Sequence, residues 1–327
     1  MKKHCFAFSL IACAVSATFP NQAFAVTLYG AGSLRGALSD IAVAFETDTN
    51  IHVDTKFGPS GQLKDNIIND GERPDVFASA DIGNALKVNQ AGLSSPVVNF
   101  ISNRMTAIVK PGLSATSNNI LDLLLDPNIR VGTSTPLSDP SGDYAWQIFD
   151  KAEQVKAGSS QILKSKALQL VGGNPNAPVV PNGQNNLVYF LKGIPQDTPP
   201  LADIFLAYYT SGIAAQEIAN DLQIVELPAY LAVKADYGLT VLNNARSEGK
   251  QLADYILSKK AQDILVNKYK FSSPSTSVPE PNNIGGILVA VGLVFILKKR
   301  QASITRQSVT VENNSHCEKN LSPASKA

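Results

Sequence analysis

Between residues 26 and 61 the spacing of apolar positions changes twice from a strand period to a helix period. Residues 26–29 form a short apolar run that leads into Gly30-Ala31-Gly32-Ser33, after which Leu34, Leu38, Ile41 and Phe45 stripe one face of a helix. Ile51, Val53, Thr55 and Phe57 then alternate with polar residues at period two. They run into Gly58-Pro59-Ser60-Gly61 and a helix through Leu63 and Ile67. The chain thus predicts one unit twice: strand, small-residue turn, serine, helix. Each serine falls where an N-cap is expected. A helix start also carries unpaired N–H groups and the positive end of a dipole, so two of them above neighbouring parallel strands would face one anion. Ser33 and Ser60 are therefore either plain caps or the two halves of an anion cradle.

Further along, residues 74–81 and 103–109 read as strands. Residues 129–133, 204–208 and 222–227 read as strands that alternate with helical stretches at 144–153, 161–170, 186–192 and 213–220. That alternation predicts an α/β fold with parallel-rich sheets flanked by helices. Residues 175–181, bounded by prolines, read as a loop.

The chain has 327 residues and a formal net charge of +1, which allows two lobes with real cores and gives no electrostatic case for nucleic acid. Its cysteines are Cys5, Cys13 and Cys317, and of its histidines only His52 lies between residues 26 and 271. This scarcity argues against a thiolate metal site, a disulfide or a Ser-His-Asp triad in the body. No nucleophile–base pair is readable, and a non-enzymatic role is expected.

Both ends carry addressing features. Lys2-Lys3, an apolar run over 6–19 and Ala23-Phe24-Ala25 make residues 1–25 a secretory signal, with Cys13 a weaker lipidation candidate. Residues 272–283 are a Ser/Pro linker containing Pro279-Glu280-Pro281. Residues 284–300 are a short apolar run closed by Lys298-Lys299-Arg300, and 301–327 are a polar tail. The apolar run falls short of the ~20 residues of a comfortable membrane helix. The order of these parts resembles the PEP-CTERM sorting signal of exported proteins. It implies a periplasmic protein, or one anchored through its C-terminal segment and facing the periplasm.

Gly30-Ala31-Gly32-Ser33-Leu34, Phe57-Gly58-Pro59-Ser60 and Pro74-Asp75-Val76-Phe77-Ala78-Ser79-Ala80-Asp81 together resemble the periplasmic molybdate-binding proteins of ABC importers. The resemblance continues through Val131-Gly132-Thr133, Asp139-Pro140-Ser141-Gly142 and residues 206–209 to Lys268-Tyr269-Lys270-Phe271. It implies a two-lobe periplasmic binding protein fold with two crossing hinge strands. Residues 26–103 and 236–271 would form lobe one, and 104–235 lobe two. It further implies an oxyanion held by Ser33, Ser60, Ser141, Gln184 and Tyr209, with Arg35, Asp81 and Asp143 as supporting residues. The ligand would be molybdate or tungstate, with no cofactor and no direct metal–protein bond. A monomer passing its ligand to an ABC importer permease is the expected working form; a tethered oxyanion sensor or scavenger, or a sulfate binder, is the alternative. A site made only of donors suits a fully ionised tetrahedral anion and rejects one that still carries a proton.

Overall fold

The computed structural model describes residues 25–193 and 199–274; the secretory signal, the linker motif, the apolar run and the polar tail expected from the sequence lie outside them. The described chain opens with β1 (Val26–Ala31), a 3₁₀ turn (Gly32–Leu34), α1 (Arg35–Thr49), β2 (Val53–Gly58), α2 (Ser60–Ile68), β3 (Val76–Ser79) and α3 (Ile82–Gln90). Next come β4 (Val98–Val109), α4 (Ile120–Leu125), β5 (Val131–Ser134), α5 (Pro140–Val155), α6 (Ser159–Lys166), β6 (Leu168–Val171) and α7 (Asn186–Lys192). The body ends with β7 (Ile204–Tyr208), α8 (Tyr209–Gln216), β8 (Gln223–Glu226), β9 (Lys234–Val241), α9 (Ser247–Leu257), α10 (Lys259–Asp263) and a π turn (Ile264–Lys268). None of these helices is long and apolar enough to cross a membrane.

Several boundaries follow directly from local chemistry. Asp81 caps α3 through the Asn84 N–H, Asp139 caps α5 ahead of Pro140 at its first turn, and Asn185 caps α7 through Leu187 and Val188. Asn50 ends α1 and Gly193 ends α7, both in the left-handed conformation that these residue types tolerate. The helix expected over 161–170 stops at Lys166, and Leu168–Val171 becomes a strand beside β5. A free edge on β5 outweighed the helical spacing.

The strands run in the order β2-β1-β3-β9-β4-β7-β5-β6, with β8 also on β4. Pairings β1–β2, β1–β3, β5–β6 and β5–β7 are parallel; those of β9 and β4 are antiparallel. β4 is the joint. Its residues up to Arg104 pair with β9, and from Met105 onward it pairs with β7 and β8. The sheet therefore has two halves that share one continuous strand. One core runs through both, from Leu28, Leu38 and Phe45 to Ile148, Phe149 and Leu206. A smaller cluster packs α7 on β7, where the Phe190 and Phe205 rings stack at 6.1 Å.

Candidate functional site

β1 and β2 end side by side, with Ala31 in register with Gly58, so the turns carrying Ser33 and Ser60 lie at one sheet edge. The structure corrects the capping expectation for both serines. The 3₁₀ turn has Ala31 as its N-cap and α2 has Pro59, and neither start is closed by a side chain. Ser60 is the first residue of α2 and is buried; its Oγ accepts from the Ala80 N–H at 3.0 Å. A serine hydroxyl has one proton to give, and that bond leaves it unspent. The Ser33 Oγ lies 3.0 Å from the Tyr237 hydroxyl.

Tyr237 begins a buried polar chain. Asn103 Nδ2 donates to Thr210 Oγ1 at 2.8 Å and to the Tyr237 hydroxyl at 3.5 Å. The Tyr237 ring also meets Tyr208 at 5.8 Å, and Tyr208 meets Tyr144 edge-on at 6.3 Å. Burial pushes all three phenols well above the ordinary tyrosine range, so they are neutral donors at any physiological pH. Tyr208 is 4 % exposed, and its hydroxyl is buried without a hydrogen-bond partner in the structure. Tyr209, the tyrosine expected at the site, starts α8 and lies under the Arg104 guanidinium, 3.6 Å from its ring centre, with Arg104 in turn paired to Glu226. Of the adjacent pair, Tyr208 is the one turned toward the partner of Ser33.

The other half of the sheet supplies the loop between β5 and α5. Asp139 accepts from Ser134 Oγ at 2.6 Å and from the Ser141 N–H at 3.1 Å, so the backbone donor expected at Ser141 is taken by its own cap. Asp143 accepts from the Leu137 N–H at 2.8 Å and holds Leu137 at φ 68. Ser138 then receives the Gly61 N–H at 2.9 Å, which ties the start of α2 to this loop. Only glycine fits there: a Cβ on residue 61 would stand 2.4 Å from the Leu137 carbonyl oxygen. Gln184 is exposed in the turn before α7, and its N–H donates to the Pro181 carbonyl. No contact joins it to the serines among the described residues. Arg35 is exposed, with its guanidinium 5.0 Å from the centre of the Phe57 ring.

Between the two halves is a cavity of about 350 Å³ lined by Asp81, Ile82, Gly83, Pro140, Asp143, Tyr144, Gln147, Lys234 and Asp236. Asp81 follows Ala80, the donor to Ser60, and Pro140 precedes Ser141. Burial and then the nearby Asp81 raise the Asp143 carboxyl, against the Leu137 N–H and the Lys87 charge, which lower it. Burial opposes ionisation of Asp236 as well, but bonds from Lys234 and Ser102 outweigh it and hold that carboxyl low. No group of three or more His, Cys, Asp or Glu side chains among the described residues is arranged to hold a metal ion.

Sequence reasoning weighed Tyr208 against Tyr209 and chose Tyr209; it missed Tyr237, Asn103, Tyr144 and Asp236. Tyr237 was open to detection as one of the period-two positions Ala235, Tyr237 and Leu239 that β9 buries. Its bond to Ser33 spans 204 residues and has no local signal.

Residues 26–269 match the family described as bacterial extracellular solute-binding protein. A protein of Pasteurella multocida, described as uncharacterized, is 30 % identical over 231 residues, covering 70 % of this chain and 91 % of its own. Among solved structures, the periplasmic molybdate-binding protein of Azotobacter vinelandii superposes with a TM-score of 0.59 at 18 % identity, over 76 % of this chain and all of its own. The sulfate-binding protein SubI of Mycobacterium tuberculosis gives 0.59 at 17 %, over 78 % and 88 %. The binding protein AfuA of Actinobacillus pleuropneumoniae, with fructose-6-phosphate bound, gives 0.59 at 14 %, over 77 % and 86 %. With three quarters of its length matched and the same mixed α/β architecture, this chain belongs to the bacterial extracellular solute-binding family.

Proposed function

We propose that this protein captures a solute bearing a tetrahedral oxyanion group between the two halves of its sheet and delivers it to an ABC importer from the outer side of the membrane. The observation that carries the reading is that Ser33 and Ser60 both sit at helix starts yet leave capping undone. Neither is the N-cap residue, since Ala31 and Pro59 hold those positions, so neither hydroxyl is committed to its own helix. Ser60 keeps its proton unspent, and Ser33 meets only another hydroxyl, that of Tyr237. Tyr208 adds a buried phenol without a partner, a costly arrangement unless a ligand supplies the acceptor. Oxyanion oxygens only accept, and bonds from neutral donors to a charged acceptor are roughly twice as strong as neutral pairs. Tyr208 replaces Tyr209 as the phenol assigned to the ligand, and neither Gln184 nor the Ser141 N–H has an assigned part.

The solved relatives bind molybdate, sulfate and a sugar phosphate, which have a tetrahedral oxyanion group in common. Molybdate and tungstate are the simplest ligands of this kind that the motifs imply. Calorimetry on the full chain with molybdate, tungstate, sulfate and phosphate tests the reading. Ser33→Ala with Ser60→Ala is expected to weaken oxyanion binding by about 1.5–3 kcal/mol for each bond lost to the charged group. Unchanged affinity in the double variant refutes the site.

A further inference from the structure

The two serines differ in what stands behind them. Ser60 Oγ accepts from the Ala80 backbone N–H, which can only donate, so the Ser60 proton is free by necessity. Ser33 Oγ meets the Tyr237 hydroxyl at 3.0 Å, and a pair of hydroxyls can run in either direction. If Ser33 were the donor, it would turn lone pairs alone toward a solute.

The groups behind Tyr237 decide the direction. Its side chain is fully buried, and burial keeps the phenol neutral. Among the described residues its hydroxyl has two partners, Ser33 Oγ and Asn103 Nδ2. Asn103 cannot take the phenol's proton. Its Oδ1 accepts from the Arg104 N–H at 2.9 Å, which turns Nδ2 to Thr210 at 2.8 Å and, in a longer bond, to Tyr237 at 3.5 Å. The Tyr208 hydroxyl forms no bond to Tyr237. The Ser33 oxygen is thus the acceptor within reach. Were Ser33 to donate instead, a proton on a fully buried phenol would have no acceptor. A free proton on half-buried Ser33 costs less, because water or a solute can meet it.

Resting on the oxyanion reading of Ser33 and Ser60, we infer that Tyr237 is a positioning residue for the solute: with Asn103 donating behind it, Tyr237 gives its proton to Ser33 and so turns the Ser33 proton toward the ligand. Asn103 sets the sense of the chain, Tyr237 carries it and Ser33 delivers it. Both serines then present protons, and the solute atoms they meet are oxygens that carry none. Asn103→Asp reverses the chain while keeping the acceptor for the Arg104 N–H. The new carboxylate accepts from Tyr237 and Thr210, Ser33 donates to Tyr237, and the solute meets a lone pair. An oxyanion that still holds a proton can donate to that lone pair; a fully ionised one cannot.

The test is calorimetry on the full chain at about pH 8 with sulfate and phosphate, and with molybdate and arsenate as a larger pair; all four are mainly dianions there, but phosphate and arsenate keep one proton. A carboxylate placed at position 103 acts alike on both members of a pair, so its charge cancels from their ratio. The wild type should prefer the fully ionised member of the pair it binds by at least about tenfold, and Asn103→Asp should cut that preference at least about tenfold. Adding Tyr237→Phe to Asn103→Asp breaks the chain and should return the preference to that of Tyr237→Phe alone. A second cycle needs no buried charge: Tyr237→Phe should weaken binding of the preferred ion by about three- to tenfold in the wild type and by less than about twofold in Ser33→Ala. An equal loss in both backgrounds, or none in the wild type, overturns the inference, as does a preference unchanged in a folded Asn103→Asp variant. In each case the oxyanion site itself stands if Ser33→Ala with Ser60→Ala still weakens binding. Failure of all four ions to bind refutes the oxyanion reading and the inference with it.

Discussion

Gly61 is where a single methyl group should separate binding from folding. Its N–H donates to the Ser138 carbonyl at 2.9 Å, and a Cβ added there meets the Leu137 and Ser138 carbonyl oxygens at 2.4 and 2.6 Å. The loop cannot simply retreat. A Cβ on Gly142 would already lie 2.5 Å from the Pro136 nitrogen, and one on Gly173 2.1 Å from the Ser138 Oγ, so the loop is backed by main chain on its far side. Forcing a methyl group into such a contact costs about 1–3 kcal/mol, and the lost hydrogen bond about 0.5–1.5 more. Because α2 and the loop belong to opposite halves, opening relieves the clash, and the cost falls on the closed, ligand-holding arrangement. Gly61→Ala should therefore weaken ligand binding by roughly 10- to 1,000-fold, at 1.4 kcal/mol per decade. The ligand-free protein should melt within a few degrees of the wild type, since alanine favours the helix by up to about 1 kcal/mol. Calorimetry with the tightest-binding oxyanion and thermal unfolding without ligand give the two numbers. An unchanged affinity, or a loss of intrinsic stability as large as the loss of binding, refutes this account of the Gly61–Ser138 contact.

The two adjacent tyrosines should respond in opposite ways. Tyr208→Phe removes a hydroxyl with no partner in the structure, so the free protein should keep or gain stability while ligand affinity falls by about 1–3 kcal/mol; Tyr209→Phe should leave affinity unchanged, and the reverse pattern in calorimetry would return the ligand role to Tyr209. Asp203 gives the acid response: burial would raise its carboxyl, but Arg130 and Lys110 outweigh that and hold it well below the usual aspartate range. Because the folded value is depressed, its stabilisation is complete above the unfolded value near about 3.9 and is lost as pH falls below it. Asp203→Asn should cost about 1–3 kcal/mol at pH 7, reduced from the fully buried case because Lys110 and Arg130 are partly exposed. Urea midpoints should converge with the wild type toward pH 3, and a gap independent of pH would show that charge is not the cause.

Periodicity located the elements that bury one continuous face. The ranges 186–192 and 204–208 agree with α7 and β7 residue for residue, because capping by Asn185 and an unbroken apolar run fix both. It failed at Leu168–Val171, where four residues are too few to show a period and a vacant edge on β5 decides the outcome. At the site the serines were legible and their bonds were not. Ser60 sits where a cap is expected, yet its oxygen turns to Ala80, because β3 ends alongside and brings an N–H within reach. Two consecutive tyrosines at a strand end look alike in sequence; the start of α8 at Tyr209 decides which ring faces inward. Of the carboxylates that line the cleft, Asp81 and Asp143 were expected beside the ligand, while Asp236 is far from both along the chain and joins them only after folding.

The shared strand has a mechanical meaning. β4 trades β9 for β7 and β8 between Arg104 and Met105, so any swing of one half against the other must bend or twist the ribbon at that step. Arg104 occupies the step itself, with its side chain stacked on Tyr209 and tied to Glu226, both on the β7–β8 side of it. On the proposed capture of a solute between the halves, Arg104 braces one side of that step without touching the cargo, and substitutions there are expected to change release rates while leaving the grip intact.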